Sequence, residues 1–301
     1  MKINLFFLGT GSAIPTEKRN HISILLNYKD ENILIDCGEG TQRQFRKMKL
    51  NPCKITRLLL THFHGDHTFG LPGLFHTLSL NNYAKTLYIY GPRGTKKFIR
   101  DISDILIHTK KINYKVEEIT GKFFETKDFK LTALPLEHDT PCNGYSFEEK
   151  NKLRINKNKL KQLKLPNIPE IAKLTQGKDI KLNGKLIKSK DLTYLQRGRK
   201  ISFILDTKIC NNAKKLAKNS DLAVIESTFL EDSDNGKKLA SNYKHLTAKQ
   251  AAQIAKQNKV KQLILTHISQ RYENKEKILL NEARKIFPNT IISEDFMRLE
   301  I

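Results

Sequence analysis

The stretch LLLTHFHGDHTFGLPG, residues 58–73, constrains this chain more than any other. An apolar run ends there and is followed at once by His62, His64, Asp66 and His67. In an extended or tightly turned segment, side chains at i, i+2, i+4 and i+5 converge on one spot. Imidazole and carboxylate together suit Zn²⁺ or Mn²⁺. Four such residues are too many for one catalytic metal that keeps an open position, so the pattern points to two metals.

The flanking sequence supplies strands to carry such a cluster. INLFFLG, ISILLNY, NILIDCG, ITRLLLT and TLYIYG read as strands by their β-branched and aromatic content. TQRQFRKMKL and RGTKKFIRDISDIL carry apolar residues at helical spacing. After Lys150 the texture changes to a basic segment without aromatic residues, punctuated by Pro166, Pro169, Gly177 and Gly184. From RKISFILDT the alternation resumes with LAVIEST, AKQAAQIAKQ, QLILTH and EKILLNEARKIF. The expected organisation is one α/β domain in two halves, residues 1–149 and 193–301, with residues 150–192 projecting as a small ordered excursion.

Further candidate ligands stand at the ends of apolar runs: His138 in LTALPLEHDT, Asp206 in ISFILDT and His267 in QLILTH. Strand ends at one edge of a sheet gather into one crevice. The set then completes two sites, one from His62, His64 and His138, the other from Asp66, His67 and His267, with Asp206 bridging. His21, His76 and His108 lack such company.

Charge narrows the partner. The net charge is +23, and residues 150–200 contribute +13 of it from sixteen Lys or Arg against three acids. A concentration of that kind predicts a polyanionic partner and argues against small neutral substrates. No apolar run approaches the roughly 20 residues that span a bilayer. Cys37, Cys53, Cys142 and Cys210 are widely spaced without a CxxC pair, as expected of free thiols in a reducing compartment. The expected location is the cytoplasm.

HxHxDH followed by distant His, Asp and His resembles the metallo-β-lactamase superfamily, an αββα sandwich with metals at one edge. FLGTGSAIPTEKRN, LIDCGEGTQRQ, THFHGDHTFGLPGL, PLEHDTPCNGYSF, VIESTF, KHLTAKQAA and LTHISQRY resemble in order the tRNase Z family, tRNA 3′-processing endoribonucleases. That resemblance implies cleavage of precursor tRNA after the discriminator nucleotide, two Zn²⁺ per subunit (Mn²⁺ being the alternative), and a homodimer whose basic arm grips the tRNA elbow. It implies Asp66 as a group that holds or deprotonates the attacking water and His245 as the acid for the leaving 3′-oxygen. Glu226 then orients His245. Ser269 and Arg271 form a phosphate clamp, guanidinium being suited to bidentate phosphate contacts. Lys18, Arg19 and Asn20 belong to a loop near the acceptor end. The turn glycines Gly38 and Gly40 read as architectural.

Four departures from the family pattern stand out: Glu17 before Lys18, which shifts or removes the loop's first basic position, Leu246 where a serine is common, Leu205 before Asp206, and LPNIPEI in place of a Gly-Pro arm tip. None removes a candidate ligand. A phosphodiesterase or exoribonuclease with the same core is the alternative enzyme. A non-catalytic RNA-binding subunit would be expected to have lost ligands, and all seven are present.

Overall fold

A computed structural model describes residues 2–105, 112–163, 168–182, 184–233 and 235–301. Part of the altered arm tip, residues 165–167, and His108 lie outside them. The first half supplies β1 (Ile3–Gly9), β2 (Ser23–Tyr28), β3 (Glu31–Ile35), β4 (Arg57–Leu59), β5 (Thr86–Gly91) and β6 (Asn113–Glu118). Next come β7 (Gly121–Glu125), β8 (Phe129–Leu136) and β9 (Cys142–Glu149). The excursion contains β10 (Lys152–Ile155), β11 (Ile180–Leu182), β12 (Lys185–Ile187) and β13 (Thr193–Gln196). Then follow β14 (Lys200–Ile204), β15 (Leu222–Glu226), β16 (Gln262–Thr266), β17 (Thr290–Ile292) and β18 (Arg298–Glu300).

Two seven-stranded sheets result, ordered β18-β1-β2-β3-β4-β5-β6 and β17-β16-β15-β14-β9-β8-β7. The alternation of strand side chains explains why they stack. Leu5, Phe7, Ile24 and Leu26 face Leu131, Tyr145, Phe147, Phe203 and Val224 across the gap between the sheets. Their neighbours Leu8, Leu25 and Leu34 point the other way, onto Phe45, Leu71, Leu74 and Phe75 of the helical side. On the far side, Ala223, Ile225, Leu263 and Leu265 pack against Ala213, Ala251, Ala252 and Ala255. The layers are therefore helix, sheet, sheet, helix. Small alanines on helix Ala248–Gln257 let it lie close to the sheet. Its start is fixed by a capping box, in which Thr247 Oγ1 accepts from the Gln250 amide and the Gln250 side chain accepts from the Thr247 amide.

In each sheet the strands nearest the site run parallel: β3, β4, β5 in one and β14, β15, β16 in the other. Their carboxyl ends open at the same edge, where the ligand-type residues sit.

The excursion leaves after β9 and returns to β14, and these two strands pair directly, Glu148 opposite Lys200. Its stem is the antiparallel pair β10–β13, which carries it as far as Gln196. A small core of Ile171, Leu174, Ile180 and Leu192 orders the rest. Among the described residues no helix is long and apolar enough to cross a membrane.

Gly70 shows how tightly the site's turns are packed. A Cβ there would stand 2.0 Å from the Gly38 carbonyl oxygen and 2.8 Å from that of Cys37. The Gly70 amide already donates to Cys37 O at 2.9 Å. Gly70→Ala is expected to cost about 1–3 kcal/mol through forced backbone displacement, read as a lower midpoint of thermal unfolding. An unchanged midpoint would show that the turn yields freely.

Candidate metal centre

The seven ligand-type residues of the sequence reading meet at the common edge of the two sheets. His62 and His64 extend from β4, and Asp66 and His67 begin the short helix Gly65–Thr68. His138 follows β8, Asp206 follows β14, and His267 follows β16. One group of potential ligand atoms, all within 4.8 Å of one another, comprises His62, His64, His138 and Asp206. A second comprises Asp66, His67, Asp206 and His267. Asp206 belongs to both. Its Oδ2 lies 3.6 Å from His62 Nε2 and 3.3 Å from His67 Nε2, while Oδ1 lies 3.2 Å from His267 Nε2.

The imidazoles are aimed by what stands behind them. His67 Nδ1 lies 2.7 Å from Asp36 Oδ2, and His138 Nδ1 lies 3.2 Å from the Lys244 carbonyl. Both partners only accept, so both Nδ1 atoms carry the proton and both Nε2 lone pairs face the centre. Thr61 Oγ1 donates to Asp36 Oδ2 at 2.7 Å, which leaves its oxygen to accept from His62 Nδ1 at 3.1 Å. Thr228 repeats the device, donating to Glu226 Oε2 at 2.7 Å and accepting from His267 Nδ1 at 3.0 Å. Four Nε2 atoms are thereby turned to one space. His64 differs, turning Nδ1 toward His138 and Nε2 toward Asp139.

Backbone geometry takes part. Asp36, Asp206 and His267, each just beyond a strand, have φ of +55°, +35° and +57°. Such left-handed conformations cost non-glycine residues about 1–2 kcal/mol and persist where the surroundings over-determine them. Here each turns its side chain into the crevice.

The donor set suits divalent metal. His62 Nε2 and Asp206 Oδ1 are buried without a hydrogen-bond partner among the described residues, although Asp206 Oδ1 does face His267. Buried polar atoms left open in this way are costly unless something coordinates them. Burial, and then the neighbouring His67, hold His62 well below the ordinary imidazole range. Burial pushes His67 the same way, but Asp206, Asp66 and Asp36 overcome it and hold its proton well above that range. Burial would raise the Asp206 carboxyl, yet His267, His67 and His245 keep it far below the usual value. A cation entering the second group therefore has to displace a proton.

His245 stands beside this centre. Its Nδ1 lies 3.0 Å from Glu226 Oε2, a fully buried carboxylate that also accepts from the Thr207 amide at 2.7 Å. Leu246, the departure from the family's serine, is core material. The loop PTEKRN uses its polar atoms differently from the substrate contact expected of it. Arg19 is buried, donating to Thr10 Oγ1 at 2.8 Å and the Ser293 carbonyl at 2.7 Å. Asn20 donates to the Glu39 carbonyl, and its amide to Asp295. Of the three residues expected at the substrate, Lys18 is the exposed one, donating to Asn274. These anchors hold a segment whose Ala13 amide donates to Asp66 Oδ2 at 2.9 Å. Ser269 is buried and caps the turn that exposes Arg271, whose guanidinium lies 5.6 Å from the Phe229 ring centre.

Asp36, Thr61, Thr228 and Asp295 were not among the expected site residues. Asp36 had a usable signal, because NILID ends an apolar run in an aspartate as ISFILD does. The other three acquire their roles only in three dimensions.

A two-sheet sandwich with a His/Asp cluster at the strand ends defines a metallo-β-lactamase-fold protein. The metallo-β-lactamase fold protein YhfI from Bacillus subtilis shares it at TM-score 0.71 and 17% identity over 100% of this chain and 99% of its own. The family profile described as "Anti-Pycsar protein Apyc1" matches residues 3–146, less than half the chain and lacking Asp206 and His267. Full-length relatives are more specific. The chain is 36% identical to ribonuclease Z of Methanosarcina mazei, with 99% of this chain and 98% of the relative covered. It is 41% identical to ribonuclease Z of Ligilactobacillus salivarius, covering 98% and 95%. Human tRNase Z, short form, superposes with TM-score 0.69 at 28% identity, 98% of each chain covered. The chain belongs to the ribonuclease Z family.

Asp36→Asn tests the aiming of His67. An amide presents one acceptor where three donors converge, and loss of such a partner typically costs 10–100-fold in metal affinity. Competition against a chromogenic chelator should show that loss with the circular dichroism spectrum unchanged. Undiminished affinity would mean that Asp36 is only scaffold.

Proposed function

We propose that this protein is a metal-dependent endoribonuclease that cuts tRNA precursors after the discriminator nucleotide and leaves a 3′-hydroxyl. The proposal includes two divalent cations, Zn²⁺ or Mn²⁺, one held by His62, His64 and His138, the other by Asp66, His67 and His267, with Asp206 between them. The observation that carries it is the set of four Nε2 atoms turned inward by acceptors at Nδ1. When bound, such cations supply Lewis acidity toward a phosphoryl oxygen and an acidified water.

The protein's own groups do the rest. Asp66, fixed by the Ala13 amide, is placed to accept a proton from the attacking water. His245, with Nδ1 committed to Glu226, offers Nε2 to the departing ribose 3′-oxygen, which is a poor leaving group as an alkoxide. Exposed Arg271 and Lys18 take backbone phosphates; Ser269, Arg19 and Asn20 shape the loops that present them. The basic excursion, expected over residues 150–192 and extended to Gln196 by the stem strand β13, is the inserted arm of the domain whose two halves precede and follow it, and it engages the folded tRNA at a distance from the cut. Four free cysteines, three of them buried, support a reducing compartment, the cytoplasm. Exposed Leu186, Tyr194 and Leu195 give the excursion apolar surface suited to a homodimer.

Two experiments test this reading. Protein loaded with Zn²⁺ or Mn²⁺ should make one cut after the discriminator of a 3′-extended tRNA, and Asp66→Ala should lose that activity by orders of magnitude. Stepwise trimming, or hydrolysis of small phosphodiesters alone, would contradict the proposal. The second concerns pH. Burial pushes the His245 imidazolium down, but Glu226 and Asp206 raise it to about 9 in the metal-free site. An acid works while protonated, so its contribution is present below its pKa and lost above it. Glu226→Gln removes the first of those supporting charges and should move the alkaline limb of the rate profile to lower pH. An unmoved limb would remove His245 from the role of acid.

A further inference from the structure

A cavity of about 360 Å³ is lined in part by the ends of β8 and β9 and the connection between them, and nothing in the proposed mechanism uses it. Ile119, Pro135, Leu136 and Pro141 form its apolar walls, and Arg93 and Glu118 stand at its rim. It shares structure with the candidate metal centre. Leu136 precedes His138 by two residues and Pro141 follows it by three, so the same short connection carries a candidate ligand and part of the cavity wall. Two residues span at most about 7 Å of chain.

The cavity's inner end is tied to the centre directly. The Asn143 amide donates to the Thr61 carbonyl at 2.9 Å, and Cys142 Sγ lies 3.5 Å from the Asp206 carbonyl oxygen. Asn143 Nδ2 donates to the Ile119 carbonyl at 3.0 Å, fastening the opposite wall. Asp139, at the bend of the connection, contacts both His138 and His64.

The lining selects a chemistry. Flat proline faces with isoleucine and leucine suit a planar ring of low polarity, and few polar groups are available to demand hydrogen bonds. Arg93 is exposed and has no ion-pair partner among the described residues, so the rim holds a guanidinium free to take an anion. Glu118 is engaged by the Lys96 amide at 3.1 Å. A nucleotide presents such a planar ring with an attached anion. A purely apolar ligand would leave Arg93 unused.

We infer that this cavity is a base subsite: it receives the nucleobase adjoining the scissile phosphate, with the non-scissile phosphate on that nucleotide's other side directed to Arg93. The inference rests on the tRNA-cleaving function proposed above and extends it from the phosphate to the base. The base belongs either to the discriminator or to the first trailer nucleotide. The recognition is the same for both, by shape and stacking and not by sequence.

The test uses full-length metal-loaded protein and three tRNA precursors: intact, abasic at the discriminator, and abasic at the first trailer nucleotide. One abasic substrate should show KM raised about tenfold with kcat within twofold, and which one it is identifies the occupant. Arg93→Ala, at an exposed position, should raise KM about fivefold on the intact precursor. In Ile119→Ala the abasic penalty should shrink toward unity, because wall and base act as one interaction; thermal midpoints check that both variants fold. Abasic and intact substrates of equal KM would overturn the inference. So would an abasic penalty equal in wild type and in both variants. Wild-type protein that cuts no precursor would instead overturn the proposed function, and the subsite with it.

Discussion

The site depends on one buried carboxylate. Asp36, at the end of β3, accepts from the Thr61 amide, the Thr61 hydroxyl and His67 Nδ1, each at 2.7 Å. Through Thr61 it also sets the ring of His62, since a hydroxyl whose hydrogen is spent on a carboxylate can only accept from the imidazole. One acidic residue thus decides the tautomer of two candidate ligands. Glu226 does the equivalent in the second sheet, through Thr228 to His267 and directly to His245. The centre is held between two buried carboxylates, one per sheet, neither of which belongs to its seven ligand-type residues.

The fold makes that symmetry possible. Asp36 follows a strand with one parallel neighbour in the first sheet, and Glu226 ends a strand with two in the second. Stacking the sheets through Phe7, Tyr145, Phe147 and Phe203 brings the two carboxyl edges together. Residues far apart in sequence then meet at bonding distance, as His67 and His267 do. Left-handed backbone at Asp36, Asp206 and His267 is the local cost of turning those side chains inward.

Much of this was legible in the sequence. HxHxDH after an apolar run placed one half of the cluster, and the strand-end positions of His138, Asp206 and His267 placed the other. Of the carboxylates behind the histidines, Glu226 was expected from the resemblance as the partner of His245, but not its reach through Thr228 to His267; Asp36 ends an apolar run as Asp206 does, yet LIDCGEG reads as a glycine turn until His67 is seen against it. Arg19 and Asn20 were expected in a loop near the acceptor end of the substrate, and only the fold shows their bonds to Thr10, Ser293, Glu39 and Asp295. Among the strands, β6 escaped notice for a physical reason. It is an edge strand exposed along nearly its whole length, so burial imposed no alternation on it. The basic excursion keeps its own small core, which its composition showed only as scattered leucines and isoleucines.

The central claim is that this edge binds two divalent cations joined by Asp206. Anomalous diffraction from crystals grown with Zn²⁺ measures it most directly. Two peaks per chain, one among His62, His64 and His138 and one among Asp66, His67 and His267, with Asp206 contacting both, is the predicted result. A single peak, or peaks elsewhere on the surface, would contradict the account.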